Sequence, residues 1–154
     1  MSVLLDTNLI LRMAEPGHPM RPTALGAAKS LLRREEALCL VAQNLYEFWV
    51  VCTRPVALNG LGLSASQTEA ELASLKHQFI VYDDTPAIRP IWEHLVMKYQ
   101  IVGKNAHDAR LVAAMLVHGI PRILTFNTAD FHRYTEIESV TPDDVLKSSA
   151  NGTS

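Results

Sequence analysis

The chain has 154 residues, 48% hydrophobic and 19% charged, with a formal net charge of −2 at pH 7. That length suits one domain with a single core, and that composition excludes a disordered or fibrous chain. The slight acidity excludes a binder coated in positive charge, so any contact with nucleic acid must be local.

The run over 3–5 is apolar, as a parallel-sheet strand requires, and Asp6-Thr7-Asn8 follows with residues that end a strand and cap a helix. Residues 15–22 hold Pro16, Gly17, Pro19 and Pro22 and read as a loop; Leu25, Ala28, Leu31 and Leu32 then recur at helical spacing. A second strand is expected over 38–41 and a helix over 43–53, stopped by Arg54-Pro55. The stretch 56–64, with Asn59-Gly60 and Gly62, is a loop, and Ser66-x-x-Glu69 predicts a capping box opening a helix that ends near His77. A third strand follows over 79–82. Thr85 and Pro86 predict a helix start, with Pro90 distorting its first turn and Tyr99 near its end. Asn105 is expected to cap the next helix, which Gly119 and Pro121 close, before strands over 123–125 and 137–140. Strands alternating with helices imply an α/β fold, a three-layer α/β/α sandwich around a mostly parallel sheet. The small, polar stretch 148–154 reads as a disordered tail, leaving 1–147 as the one domain.

No apolar run approaches the roughly 20 residues of a spanning helix, and no basic leader precedes the first strand, so a cytoplasmic protein with no membrane contact is expected. Cys39 and Cys52 lie 13 positions apart without a Cys-x-x-Cys pair, which suits two reduced core thiols.

Ligands of such sheets bind beyond the carboxyl ends of the strands, so acids placed there are the ones to collect. Asp6 follows the first strand, Asp130 follows the fourth, Glu47 lies one turn into the helix after the second, and Asp108 opens the helix before the fourth. Taken singly, each has a structural explanation as a cap, a first-turn acid or a turn residue. Glu47 resists that explanation, because it sits within Leu-Tyr-Glu-Phe-Trp-Val-Val-Cys with no Lys or Arg within one turn on its own helix. A buried carboxylate without a partner costs several kcal/mol, and a shared cation would supply the missing charge. Arg54, Lys104, Arg110, Arg122 and Arg133 could line a phosphate track, or be scattered surface charge. Asp83-Asp84 suits a strand-to-helix turn, His107 and His132 suit exposed positions, and Met13, Trp49 and Trp92 suit the core.

In order, Leu-Leu-Asp6-Thr7-Asn8, the Glu47 helix, His107-Asp108-Ala109 with Ala113-Ala114, Leu124-Thr125-Phe126-Asn127 with Asp130-Phe131, and Thr141-Pro142 resemble the blocks of the PIN-domain nucleases. The likeness is strongest to the VapC-like toxins of bacterial toxin–antitoxin pairs and covers about 3–142. It implies a PIN-like fold and an endoribonuclease that hydrolyses RNA with Mg²⁺ or Mn²⁺. The resemblance maps Asp6, Glu47, Asp108 and Asp130 onto the acidic catalytic and metal site and Asn127 onto the polar residue beside it. Thr7 and Asn8 are expected to orient Asp6. It also implies an antitoxin partner and a homodimer.

Two other readings compete. A haloacid-dehalogenase-like phosphatase also places an Asp after its first strand, but wants a second Asp where this chain has Asn8. A PIN fold without activity would serve as an RNA- or protein-binding module; the presence of all four acids counts against it.

Overall fold

Val3, Leu4 and Leu5 have no exposed surface at all, and that burial on both faces is what a central parallel strand requires. The computed structural model describes residues 1–151. The strands are β1 (Ser2–Leu5), β2 (Ala37–Val41), β3 (Ile80–Tyr82), β4 (Arg122–Leu124) and β5 (Glu138–Val140). All pair in parallel, in the order β3-β2-β1-β4-β5, with Leu4 opposite Cys39 on one side and Ile123 on the other. The helices are α1 (Thr7–Ala14), α2 (Arg21–Arg33), α3 (Ala42–Thr53), α4 (Ala65–Gln78), α5 (Ile88–Lys98), α6 (Asn105–His118) and α7 (Pro142–Asn151).

Alternation along the strands divides the core in two. Val3, Leu5, Leu38, Leu40 and Leu124 face a cluster built with α1, α2, α3, α4 and α7, including Leu9, Leu31, Phe48, Leu75 and Val145. Leu4, Cys39, Val41 and Ile123 face the opposite cluster, built with α5 and α6 through Leu95, Leu111, Val112 and Met115. Each fully buried Leu contributes roughly 1.5–3 kcal/mol relative to exposure, so the two apolar faces together set the three-layer sandwich expected from the sequence. No helix among the described residues is long and apolar enough to cross a membrane.

The differences from expectation lie at helix ends. The capping box of α4 uses Ser64 and Gln67, not Ser66 and Glu69: the Ser64 hydroxyl accepts from the Gln67 N–H at 3.1 Å and the Gln67 side chain accepts from the Ser64 N–H at 2.8 Å. Helix α2 begins at Arg21, inside the expected loop, because Pro22 suits the first helical turn. Helix α5 begins at Ile88 rather than beside Thr85, which places Pro90 at the third helical position, where no intrahelical N–H bond is lost. Asn105 is the first residue of α6 and not its cap.

The stretch set aside as a disordered tail begins inside α7; residues 152–154 lie outside the described residues. Thr141 and Asp144 exchange side-chain-to-backbone bonds at 3.0 and 3.2 Å, and Pro142 opens the helix. Val145 is buried against α2, and Arg34 donates to the Val145 carbonyl at 2.8 Å and to Ser149 Oγ at 2.5 Å.

The chain lays β1, β2 and β3 outward in one direction and returns to place β4 and β5 on the other side of β1. The topological switch point therefore lies between the carboxyl ends of β1 and β4, where neighbouring connections leave toward opposite faces and a crevice opens.

Candidate active site

Asp6 and Thr125 are the first residues beyond β1 and β4, and they meet across that switch point. The Asp6 N–H donates to the Leu124 carbonyl at 3.0 Å, continuing the ladder by one bond. Asp6 also caps α1, accepting at Oδ1 from the Thr7 N–H at 2.8 Å, while Oδ2 accepts from the Thr125 hydroxyl at 2.7 Å. Asp6 is thus a cap held by two fixed donors while only 9% exposed.

Glu47 reaches the same point from α3. Its Oε1 accepts from the Thr7 hydroxyl at 2.7 Å and its Oε2 from the Gln43 amide at 3.4 Å. It is half-buried and lies one helical turn beyond Gln43 on the same face. Asp108, in the first turn of α6, is also half-buried. Asp130 closes the 3₁₀ turn Thr128–Asp130 after β4, where Asn127 Nδ2 donates to its Oδ2 at 2.7 Å.

Thr7 divides its service: its backbone N–H holds Asp6, and its hydroxyl holds Glu47. Asn8 touches Asp6 only through Thr125, donating to Thr125 Oγ1 at 3.3 Å. Asn127 likewise binds Thr125, through its backbone N–H at 3.0 Å.

Three supporting residues escaped the sequence reading. Thr125 has no exposed surface and links Asp6, Asn8 and Asn127. Asn44, also fully buried, donates to the Thr7 hydroxyl at 3.2 Å and accepts from the Val41 N–H at 2.9 Å. Gln43 donates to Glu47 and to the His107 carbonyl at 2.8 Å, and accepts from Arg110 at 3.0 Å, tying α3 to α6. The available signal was two polar residues opening an apolar helix: polar side chains there need partners.

Thr125 yields a direct expectation. Thr125→Val removes the donor of a buried carboxylate oxygen and should lower stability by about 1–3 kcal/mol in urea unfolding, whereas Thr125→Ser, which keeps the hydroxyl, should lie close to wild type. Equal losses for both variants would mean that packing, not the hydrogen bond, matters at this position.

The four acids form one electrostatic group. Burial pushes the Asp6 carboxyl up to about 6; the bonds from Thr125 and Thr7 pull it down, and the charges of Glu47 and Asp130 add to the rise. Burial likewise raises Asp108 to about 6, with Asp130, Asp6 and Glu47 adding repulsion in that order. None of the ion pairs among the described residues involves Asp6, Glu47, Asp108 or Asp130. Four carboxylates that repel one another with no Lys or Arg partner fit a divalent cation in charge and donor chemistry. Their positions are not those of a finished ligand set: among the described residues no three His, Cys, Asp or Glu side chains gather closely enough to hold an ion as they stand. Each of Asp6, Glu47 and Asp130 instead accepts hydrogen bonds from the protein.

The remaining candidates fall elsewhere. Arg122 is tied to Glu36 at 2.5 Å, beside the Met1 amine, at the amino ends of the strands. Asp84 pairs with Arg110 at 3.0 Å, and Asp83 accepts from or donates to nothing in the acid group, its carbonyl lying 3.1 Å from His118 Nε2. His107 and His132 are exposed, and the indole of Trp92 donates to the Ala106 carbonyl at 2.8 Å. Cys39 and Cys52 are buried free thiols, pushed up to about 12 and about 11 chiefly by desolvation, and are chemically quiet.

Among curated proteins, none matches the sequence significantly. The structure resembles VapBC2 from Rickettsia felis, bound to a DNA fragment from its promoter, with a TM-score of 0.69 at 14% identity over 92% of this chain and 98% of that one. A toxin–antitoxin complex from Klebsiella pneumoniae gives 0.63 at 18% identity over 91% and 97%. VapC20 of Mycobacterium tuberculosis, described as a Sarcin-Ricin loop cleaving toxin, gives 0.58 at 18% identity over 88% and 98%. At such identities these likenesses establish the fold. The family profile of the PIN domain matches residues 3–137, nearly the whole described chain, which displaces the haloacid-dehalogenase alternative: the chain belongs to the PIN-domain family.

Proposed function

We propose that this protein is a divalent-cation-dependent endoribonuclease, the cytoplasmic toxin of a toxin–antitoxin pair. The observation that carries this reading is the acid group at the switch point, mutually repelling and without a cationic partner. The fold likeness to toxin–antitoxin complexes supports a cognate antitoxin as partner, and a homodimer is the assembly that the family resemblance implies. The RNA-cleaving description of VapC20 supports RNA as the substrate.

Asp6, Glu47, Asp108 and Asp130 would hold Mg²⁺ or Mn²⁺. When bound, such a cation acidifies water and neutralises charge on a phosphodiester. The chain's own contribution is orientation. Thr125 and the Thr7 N–H fix Asp6, the Thr7 hydroxyl fixes Glu47, and Asn127 fixes Asp130, so three of the acids keep their direction while charge develops on the phosphate. Asn8 and Asn44 hold Thr125 and Thr7 in turn.

The test is incubation of purified protein with total RNA and mapping of the ends produced. EDTA should abolish cleavage, and Mg²⁺ or Mn²⁺ should restore it with 5′-phosphate and 3′-hydroxyl ends. Cleavage that persists in EDTA and leaves cyclic phosphates would replace this mechanism with a metal-free one. The one observation favouring an inactive binding module is the lack of a preassembled ligand triad; intact RNA under every metal condition would establish that reading.

A further inference from the structure

Beside the acid group lies a cleft of about 700 Å³ between α3 and α6, within the roughly 300–1,000 Å³ of small-ligand pockets. Glu47 of the acid group lines it together with Tyr46, Val50 and Arg54, which follow one stripe along α3 and its end, and with His107 and Arg110 from α6. Of the five basic residues considered from the sequence for a phosphate track, only Arg54 and Arg110 line it. They are not equivalent. Arg110 is occupied by Gln43 and Asp84, both at 3.0 Å. Arg54 is half-buried, and no protein hydrogen bond or ion pair holds its guanidinium among the described residues.

The chain nevertheless places Arg54 with care. Its N–H donates to the Val50 carbonyl at 3.0 Å, and its own carbonyl accepts from the Gly62 N–H at 2.9 Å. The following loop folds back on the end of α3, with Leu61 and Leu63 donating to the Val51 and Cys52 carbonyls at 3.0 and 2.8 Å. Position 60 admits only glycine, since a Cβ there would stand 2.0 Å from the Arg54 carbonyl oxygen. A fixed backbone carrying an unpaired guanidinium into a cleft is the arrangement of a ligand-binding arginine. The neighbouring side chains one and two turns before Arg54 are equally unpartnered: Val50 is 52% exposed and Tyr46 60%.

We infer that this cleft binds the nucleotide adjoining the scissile phosphate of single-stranded RNA, with the Arg54 guanidinium on a backbone phosphate and the Tyr46 and Val50 face against the base. The inference rests on the ribonuclease reading for its choice of substrate. Charge decides the occupant, because a free cation next to a site that must attract a polyanion complements RNA. Stacking on an exposed tyrosine is tolerant of sequence and suits unpaired bases.

The test is fluorescence anisotropy of a labelled oligouridylate in Ca²⁺ buffer, read over a salt series, for wild type, Arg54→Ala, Arg54→Lys, Tyr46→Ala and the control Lys29→Ala. Lys29, exposed on α2, lies outside the cleft and carries the same charge. Arg54→Ala should weaken binding by roughly tenfold and flatten the slope of log K against log salt by about 0.7, one phosphate contact on a single strand. Arg54→Lys should recover part of both, and Lys29→Ala should change neither. Tyr46→Ala should weaken binding without altering the slope. Wild type that binds no oligouridylate, or Arg54→Ala that matches Lys29→Ala, would overturn the inference. Arg54-dependent binding by a protein that cleaves no RNA would keep the cleft and refute the nuclease reading alone.

Discussion

Replacing Asp6 by Asn is expected to lower RNA cleavage by roughly 10³-fold or more, the scale of losing one preorganised charged group at a reacting centre, while making the metal-free protein more stable. Asn keeps an oxygen for the Thr7 N–H, so the cap on α1 survives. What disappears is a carboxylate that burial and two neighbouring charges hold at a pKa of about 6 against an ordinary 3.8. At neutral pH that rise corresponds to about 3 kcal/mol withheld from folding. Urea unfolding in EDTA should therefore place Asp6→Asn above wild type, with cleavage measured on the same preparations. Retained cleavage would make Asp6 a cap and nothing more. A less stable Asn variant would show that the bond from the Thr125 hydroxyl outweighs the burial and repulsion that raise this carboxyl.

The second large effect is a dependence of metal-free stability on pH that runs opposite to the usual acid denaturation. Asp6 and Asp108 both have folded pKa values raised to about 6, so between pH 4 and 6 these two groups bind more protons in the folded protein than in the unfolded chain, opposed only toward the acid end of that window by Glu36, Glu136 and Asp144, whose carboxyls are lowered. Stability then falls as pH rises through that window and levels off above it. In EDTA the wild type should lose about 2.4 kcal/mol from Asp6 between pH 4 and 7, with a further loss from the more exposed Asp108. Asp6→Asn should lose much less, and the two proteins should converge near pH 4. Wild-type stability that climbs steadily from pH 4 to 7 would mean that the acids are relieved by partners within the protein.

How much of this was legible in the sequence follows from the range of each interaction. The strands show themselves as short apolar runs because they are buried on both faces, and the acids stand out because they follow those runs directly. The switch point between β1 and β4 is a consequence of alternating order, and it brings Asp6 next to Thr125 across 119 positions of sequence. Local pattern cannot reveal that bond, nor those by which Asn44 and Gln43 support Thr7 and α6, because Thr7 and His107 lie on other elements. Helix α7 was missed for a different reason. Val145 and Leu146 are its only large apolar residues, too few to show a period, and its start is written instead as Thr141-Pro142-Asp143-Asp144, a capping box with proline in the first turn. Ser64 and Ser66 compete as caps of α4 with equally good sequence spacing to Gln67 and Glu69; the structure selects Ser64.

The claim at the centre of this account is that acids from four separate elements constitute one cation site, and Mn²⁺ binding read through thermal unfolding tests it most directly. An ion that binds only the folded state adds RT ln(1 + [L]/Kd), about 2.7 kcal/mol at 100 times Kd, which for a domain of this size is a melting shift of roughly 5–10 °C. Wild type should show that shift, and Asp6→Asn and Asp108→Asn, folded and at least as stable without metal, should each lose most of it. Equal Mn²⁺ shifts in all three proteins would contradict the account, since the ion would then be bound somewhere other than at the carboxyl ends of β1 and β4.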